Sequence, residues 1–99
     1  MLELNEENFE QETNTGIVLV DFYTTWCGPC KLMLPVLQQI TDAKVVKVNV
    51  SENGQLAVKH NIMLIPTFLL MKDGKISDRF SGLVKKEYIQ TKIDALKNN

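Results

Sequence analysis

Only two cysteines occur in the 99 residues, Cys27 and Cys30, and they stand three positions apart. Thiols at that spacing serve as a structural staple, as metal ligands or as a redox pair. As a staple they are weak. The chain-entropy treatment gives so small a loop roughly 2 kcal/mol, against about 4.7 for a 100-residue loop, and a reducing compartment does not keep such a bond for its structural value. A disulfide-stapled secreted scaffold would also show more cysteines, spread along the chain. A structural zinc site takes four protein ligands and a catalytic one usually three. Beyond the pair the chain has one histidine, His60, and no further cysteine, so a zinc site would need a carboxylate or His60 folded close. Haem attachment is excluded, because Lys31 stands where a histidine is required. Reversible thiol–disulfide exchange needs only that one thiol ionise readily near neutral pH.

The surroundings of the pair supply that condition. Residues 17–23 form a continuous β-branched and aromatic run, the pattern of a strand covered on both faces. A helix is expected to open at Cys27 and run to about residue 40. The first turn of a helix carries unpaired N–H groups and a partial positive charge, and a thiolate on Cys27 receives both. Such a terminus is worth about 0.3–1 kcal/mol, or ~2 in a partly buried setting. At 1.36 kcal/mol per tenfold change in ionisation, the thiolate fraction rises by roughly 2- to 30-fold. Gly28 lets another backbone approach closely, and Pro29 falls in the first turn, where its missing N–H costs nothing. A bare Cys-x-x-Cys is a weak motif; after a strand and before a helix it is a strong one.

Asp21 is the other candidate for chemistry. A carboxylate inside an apolar strand is costly to bury charged, so its pKa rises, and it then suits proton exchange with Cys30, directly or through a water. The alternative is a strand-end aspartate that reaches solvent or a backbone donor.

The elements that must position these groups alternate strand and helix. After an apolar start at residues 2–4, Asn5 is expected to cap a helix reaching about Glu12. Pro35 lies inside the helix that follows the cysteines and predicts a kink there. Residues 45–50 read as a strand and 52–60 as a short helix weakened by Gly54. The strand–helix–strand order implies a right-handed crossover between parallel neighbours. Strands over 67–72 and 75–81 flank Asp73-Gly74, a tight-hairpin signal, and Gly82 ends the second. A last helix gathers Tyr88, Ile89, Ile93 and Leu96 on one face. The pattern is α/β: one domain over residues 1–99, a mixed sheet with helices on both sides.

Composition excludes other classes. At 44% hydrophobic and 23% charged the chain has the make-up of an ordinary globular domain, and its net charge of −1 gives no basic field for nucleic acid or anionic lipid. The start, Met1-Leu2-Glu3-Leu4, lacks the basic and apolar regions of a secretory signal. No apolar run is long enough to span a bilayer. A cytoplasmic monomer is the expectation.

The segment Val20-Asp21-Phe22-Tyr23-Thr24-Thr25-Trp26-Cys27-Gly28-Pro29-Cys30-Lys31 resembles the active-site segment of the thioredoxin family. Pro35 in the helix, Ile65-Pro66-Thr67 before a strand and Gly82 before the last helix follow in the family's order, so the resemblance runs over nearly the whole chain. It implies a thioredoxin fold, with a central mixed five-stranded sheet flanked by about four helices, and reduction of disulfides in other proteins. Cys27 would be the nucleophile, Cys30 the resolving thiol and Asp21 the proton relay, with Lys47 beside it or else a solvated strand residue. Pro66 would be a cis proline facing the cysteines. Trp26, Ile65, Pro66, Gly82 and Leu83 would form a shallow apolar docking patch for substrate, although Ile65 and Leu83 taken singly also read as core. No cofactor would be bound; a flavin-dependent thioredoxin reductase fed by NADPH would restore the dithiol.

The chain departs from the family pattern at several points. Leu64 occupies a position that is often glycine and so bears on the substrate groove. Tyr23 replaces a frequent tryptophan, and Val50 a frequent aspartate. The link after residue 40 is short, and Lys85 stands where a capping serine often begins the last helix. Within the redox class, Gly28-Pro29 lacks the tyrosine of glutaredoxin-like proteins and the histidine of isomerase-like ones. The alternative outside that class is an assembly subunit whose redox chemistry is secondary.

Overall fold

The computed structural model describes residues 1–98. Its elements in chain order are β1 (Leu2–Leu4), α1 (Phe9–Thr13), β2 (Ile17–Tyr23), α2 (Gly28–Gln38), β3 (Lys44–Asn49), α3 (Gly54–Lys59), β4 (Thr67–Lys72), β5 (Lys75–Ser81) and α4 (Lys86–Lys97). They build one five-stranded sheet of order β1-β3-β2-β4-β5. The strands β1, β3 and β2 run parallel, while β4 and β5 pair antiparallel. This is the mixed α/β thioredoxin fold. No helix among the described residues is long and apolar enough to cross a membrane.

The period-two alternation of the strands divides the apolar residues between two cores. Val18, Val20 and Phe22 of β2 join Phe9 of α1 and Leu56 of α3 on one face. Leu19 joins Met33 and Leu37 of α2 and Ile89, Ile93 and Leu96 of α4 on the other. Asp21 is in phase with Leu19, so the pleat aims its carboxyl at the face that α2 covers. The central strand β2 is buried at every residue from Val18 to Phe22, which is why it reads as an unbroken apolar run rather than an alternating one.

Several boundaries differ from the sequence pattern. Asn5 caps the turn by which the chain enters α1. Its side chain accepts from the Glu7 and Asn8 amides, 2.9 Å each, and Asn8 Oδ1 accepts from the Asn5 amide at 2.7 Å. With the Phe9 amide donating to the Asn5 carbonyl at 3.0 Å, this reciprocal pair closes a turn continuous with α1, whose regular span is Phe9–Thr13. Val50 falls outside β3, although its amide still donates to the Tyr23 carbonyl at 2.9 Å. Gly54 opens α3 instead of lying inside it. The helix α2 ends at Gln38, earlier than the pattern implies, and runs through Pro35; the Lys31 carbonyl that loses its amide partner belongs to an exposed residue, within reach of water. Tyr88 is 45% exposed at the rim of α4, edge-on to the Phe80 ring at 5.3 Å. The Asp73-Gly74 turn has positive φ at both residues, 51° and 82°, as a two-residue hairpin turn requires.

The last helix starts without a side-chain cap: Lys85 has the extended backbone of an N-cap, φ −78° and ψ 151°, but no side-chain acceptor. Replacing Lys85 by Asp supplies that acceptor and places negative charge at the positive end of the helix dipole. Lys85→Asp is expected to stabilise the protein by about 1 kcal/mol, read as a rise of about 4–8 °C in Tm.

Candidate active site

The backbone leaves β2 at Tyr23, passes through Thr24–Trp26 and enters α2 at Gly28, so that Cys27 becomes the N-cap residue. Its φ of −99° and ψ of 113° are the extended values of a cap, and its Sγ accepts the Cys30 amide at 3.2 Å. Sulfur here takes the part that a serine or aspartate oxygen plays at other helix starts. Cys27 and Cys30 are joined as a disulfide, with Cα atoms 5.2 Å apart, well within the ordinary span. Cys30 is 3% exposed and Cys27 8%. Both are buried, Cys27 slightly less deeply.

The Ile65–Pro66 peptide is cis, and the Ile65 carbonyl oxygen lies 3.9 Å from Cys27 Sγ. Two hydrogen bonds fasten this segment to the end of β5. The Gly82 amide donates to the Pro66 carbonyl at 2.9 Å, and the Thr67 and Ser81 hydroxyls are 2.9 Å apart. Gly82 has φ of +83°, a conformation that residues with a Cβ adopt only under strain. The Ile65 carbonyl thus reaches the sulfur and Pro66 is tied to Gly82, while Trp26 and Leu83, the chain neighbours of Cys27 and Gly82, are exposed. Pro66 itself is buried. In the loop just before Ile65, Met63 is 89% exposed and Leu64 67%. The signal for both was available: apolar residues in a loop, with no helical or strand period to bury them.

Behind the disulfide lies a pocket of about 230 Å³ lined by Asp21, Tyr23, Thr24, Thr25, Cys30, Lys31, Leu34 and Lys47. Asp21 is 1% exposed, and burial pushes its carboxyl up to about 7, with the Lys47 ammonium opposing and Glu3 reinforcing the rise. Asp21 Oδ1 and Thr24 Oγ1 have no hydrogen-bond partner among the described residues. Both face a space large enough for several waters at ~30 Å³ each. Thr24 was not singled out from sequence, and its type and position carry no signal of that role. Lys47 is the cross-strand partner of Asp21 in β3, yet its ammonium pairs with Glu3 at 3.5 Å. His60 is distant from this chemistry: it caps α3, and its ring packs on Phe9 and Phe22 at 5.0 and 5.7 Å. Among the described residues no three His, Cys, Asp or Glu side chains cluster closely enough to hold a metal ion.

A disulfide at a helix N-terminus, set against a mixed sheet, defines the class of thiol–disulfide oxidoreductases. The thioredoxin family model matches residues 1–95. The chain is 39% identical over 95 residues to the thioredoxin of Bacillus subtilis, covering 91% of each chain. It is 40% identical over 97 residues to that of Listeria monocytogenes, covering 93% of this chain and 94% of the relative. A solved mutant thioredoxin from Halobacterium salinarum superposes with a TM-score of 0.86 at 32% identity, over 95% of this chain and 88% of the other. The chain belongs to the thioredoxin family. Its activity is thioredoxin-type reduction of protein disulfides through the Cys27–Cys30 pair.

Burial of Asp21 makes stability depend on pH in a defined direction. Below about pH 4 both folded and unfolded chains hold the proton; between there and about 7 only the folded chain does. Stability therefore falls as pH rises through that window, by up to roughly 4 kcal/mol at 1.36 kcal/mol per pH unit. Asp21→Asn removes this dependence. Urea unfolding at pH 4, 6 and 8 should show the variant gaining on the unaltered protein as pH rises, with the gain level above pH 8.

Proposed function

We propose that Cys27 is the attacking thiolate, Cys30 the resolving thiol and Asp21 the group that exchanges the Cys30 proton. The observation that carries the reading is the Cys30 amide aimed at Cys27 Sγ at 3.2 Å, a donor positioned before any charge develops there. In the reduced protein, Cys27 as thiolate attacks one sulfur of a substrate disulfide. A mixed disulfide forms, and the other substrate sulfur leaves as thiolate. Cys30 then gives its proton to the Asp21 carboxylate, directly or through water in the pocket, and its thiolate attacks the Cys27 sulfur. The second substrate sulfur leaves, and the protein is left with the Cys27–Cys30 disulfide. Two electrons have passed to the substrate.

Asp21 suits this exchange because a group poised near 7 both accepts and returns a proton at neutral pH. Gly28 and Pro29 let α2 begin immediately after the attacking sulfur, Pro29 falling where no amide is needed. Substrate lies across the patch of Trp26, Ile65, Pro66, Gly82 and Leu83, pairing its backbone with the extended chain at Ile65. Regeneration takes two electrons from NADPH through a flavin-dependent thioredoxin reductase, with no cofactor bound to this chain. The protein works as a single-domain monomer in the cytoplasm. That setting agrees with a cysteine pair kept for exchange and not as a staple.

The test is insulin disulfide reduction coupled to NADPH and a thioredoxin reductase. The unaltered protein should oxidise NADPH as insulin precipitates, and Cys27→Ser should abolish both. Cys30→Ser should instead accumulate a mixed disulfide with insulin, seen as a reducible band on a non-reducing gel. Trapping by Cys27→Ser in place of Cys30→Ser would reverse the assigned roles.

A further inference from the structure

The proposed role of Asp21 leaves unexplained why the nearest cation does not neutralise it. Lys47 is the in-register neighbour of two carboxylates, Glu3 on β1 and Asp21 on β2. In-register partners in parallel strands project from the same face, so Glu3, Lys47 and Asp21 form one row across three strands. The Lys47 ammonium goes to the outer carboxylate, 3.5 Å from Glu3 Oε2. Asp21 makes no ion pair among the described residues, and its Oδ1 is left without a hydrogen bond.

Tyr23 reinforces that choice. Its hydroxyl donates a short hydrogen bond to the same Glu3 Oε2, and its ring lies 5.1 Å from the Lys47 ammonium. Burial and the Glu3 carboxylate raise the tyrosine pKa, so the hydroxyl remains a donor throughout the working range. Glu3 is thus fixed by one neighbour while it holds the other. Both residues are half open to water: the Glu3 side chain is 47% exposed and that of Lys47 26%. Their pairing leaves the ammonium hydrated, whereas a move to Asp21 would desolvate it.

We propose that Glu3 is a positioning residue for the redox reaction: from the edge strand it holds the Lys47 ammonium away from Asp21, so that the Asp21 carboxyl stays unpaired and open to exchange with Cys30. The inference deepens the proton-exchange reading and rests on it. The charged and titratable groups around Asp21 are Lys47 from β3, Glu3 from β1, Tyr23 from β2, and Lys31 and Cys30 from α2. The strand on its other side, β4, presents Phe68. Glu52 acts on Tyr23 from the loop after β3. Of these, Glu3 is the group that binds both Tyr23 and Lys47.

The test follows the Asp21 carboxyl by carbon-13 NMR titration of the reduced protein, with single-turnover release of substrate from the mixed disulfide measured against pH. Glu3→Gln keeps the side chain's size and removes its charge. It should lower the Asp21 midpoint by about one pH unit as the ammonium turns inward, and the acid limb of the release profile should move with it. Glu3→Asp should restore most of the original midpoint. In a Lys47→Met background the Glu3→Gln shift should shrink to less than about half, because the two residues act together. An ordinary carboxylate midpoint for Asp21 in the unaltered protein would overturn the proton-exchange reading, and this inference with it. A raised midpoint that Glu3→Gln leaves in place, in a protein whose amide spectrum is otherwise native, would overturn the inference alone. So would an equal shift with and without Lys47, since Glu3 would then act by its own charge.

Discussion

The Cys30 amide donates to Cys27 Sγ across the first turn of α2, and the redox chemistry depends on where that turn is fixed. A sulfur that is neutral in one half of the cycle and negative in the other is best served by donors already oriented, so that little reorganisation accompanies reaction. The orientation comes from packing. Met33 and Leu37 seat α2 on Leu19, Phe68 and Leu70 of the sheet, while β2 delivers the chain to the helix start. Displacing the helix by a fraction of a turn would break the alignment of sulfur and amide before it disturbed much of the core.

The same seating places a carboxylate beneath the helix, at a cost. Asp21 occupies a position in β2 in phase with apolar Leu19, and it is as buried as that residue. A fold built for stability alone would fill that site with a hydrocarbon side chain. Asp21 lies beside a pocket that also reaches Cys30; on the proposed reading the stability cost accompanies a proton acceptor near the thiol, the balance common at functional sites. In the row of Glu3, Lys47 and Asp21 across the sheet, the ammonium pairs with the outer carboxylate and not with the buried one.

Outside the helix, the approach to Cys27 is narrow and its borders are apolar. Trp26, Met63, Leu64 and Leu83 are all largely exposed, and the segment at 65–66 is held against Gly82 by the Pro66 carbonyl. Rigid backbone with apolar side chains around it suits an extended partner that brings its disulfide to the sulfur. Leu64, which stands where the family often has glycine, and Met63 are both exposed in the loop just before Ile65.

The sequence alone determined the reactive pair, the strand before it and the helix after it, because these rest on local signals: two thiols at fixed spacing, an unbroken apolar run, and Gly-Pro where a helix begins. It also showed Asp21 to be out of keeping with its strand, and it marked the hairpin at Asp73-Gly74. It set the start of α1 at the turn capped by Asn5, ahead of the regular span at Phe9, and it grouped Tyr88 with Ile89, Ile93 and Leu96, although Tyr88 lies at the half-exposed rim of that face, since a helical period does not say where the covered face ends. Tertiary structure decided the rest. The isomer at Pro66, the partner chosen by Lys47 and the orphaned oxygen of Asp21 depend on residues 20 to 60 positions apart in the chain. A carboxylate, an ammonium or a proline has the same local signature whichever neighbour the fold brings to it, and only the packed sheet settles which one that is.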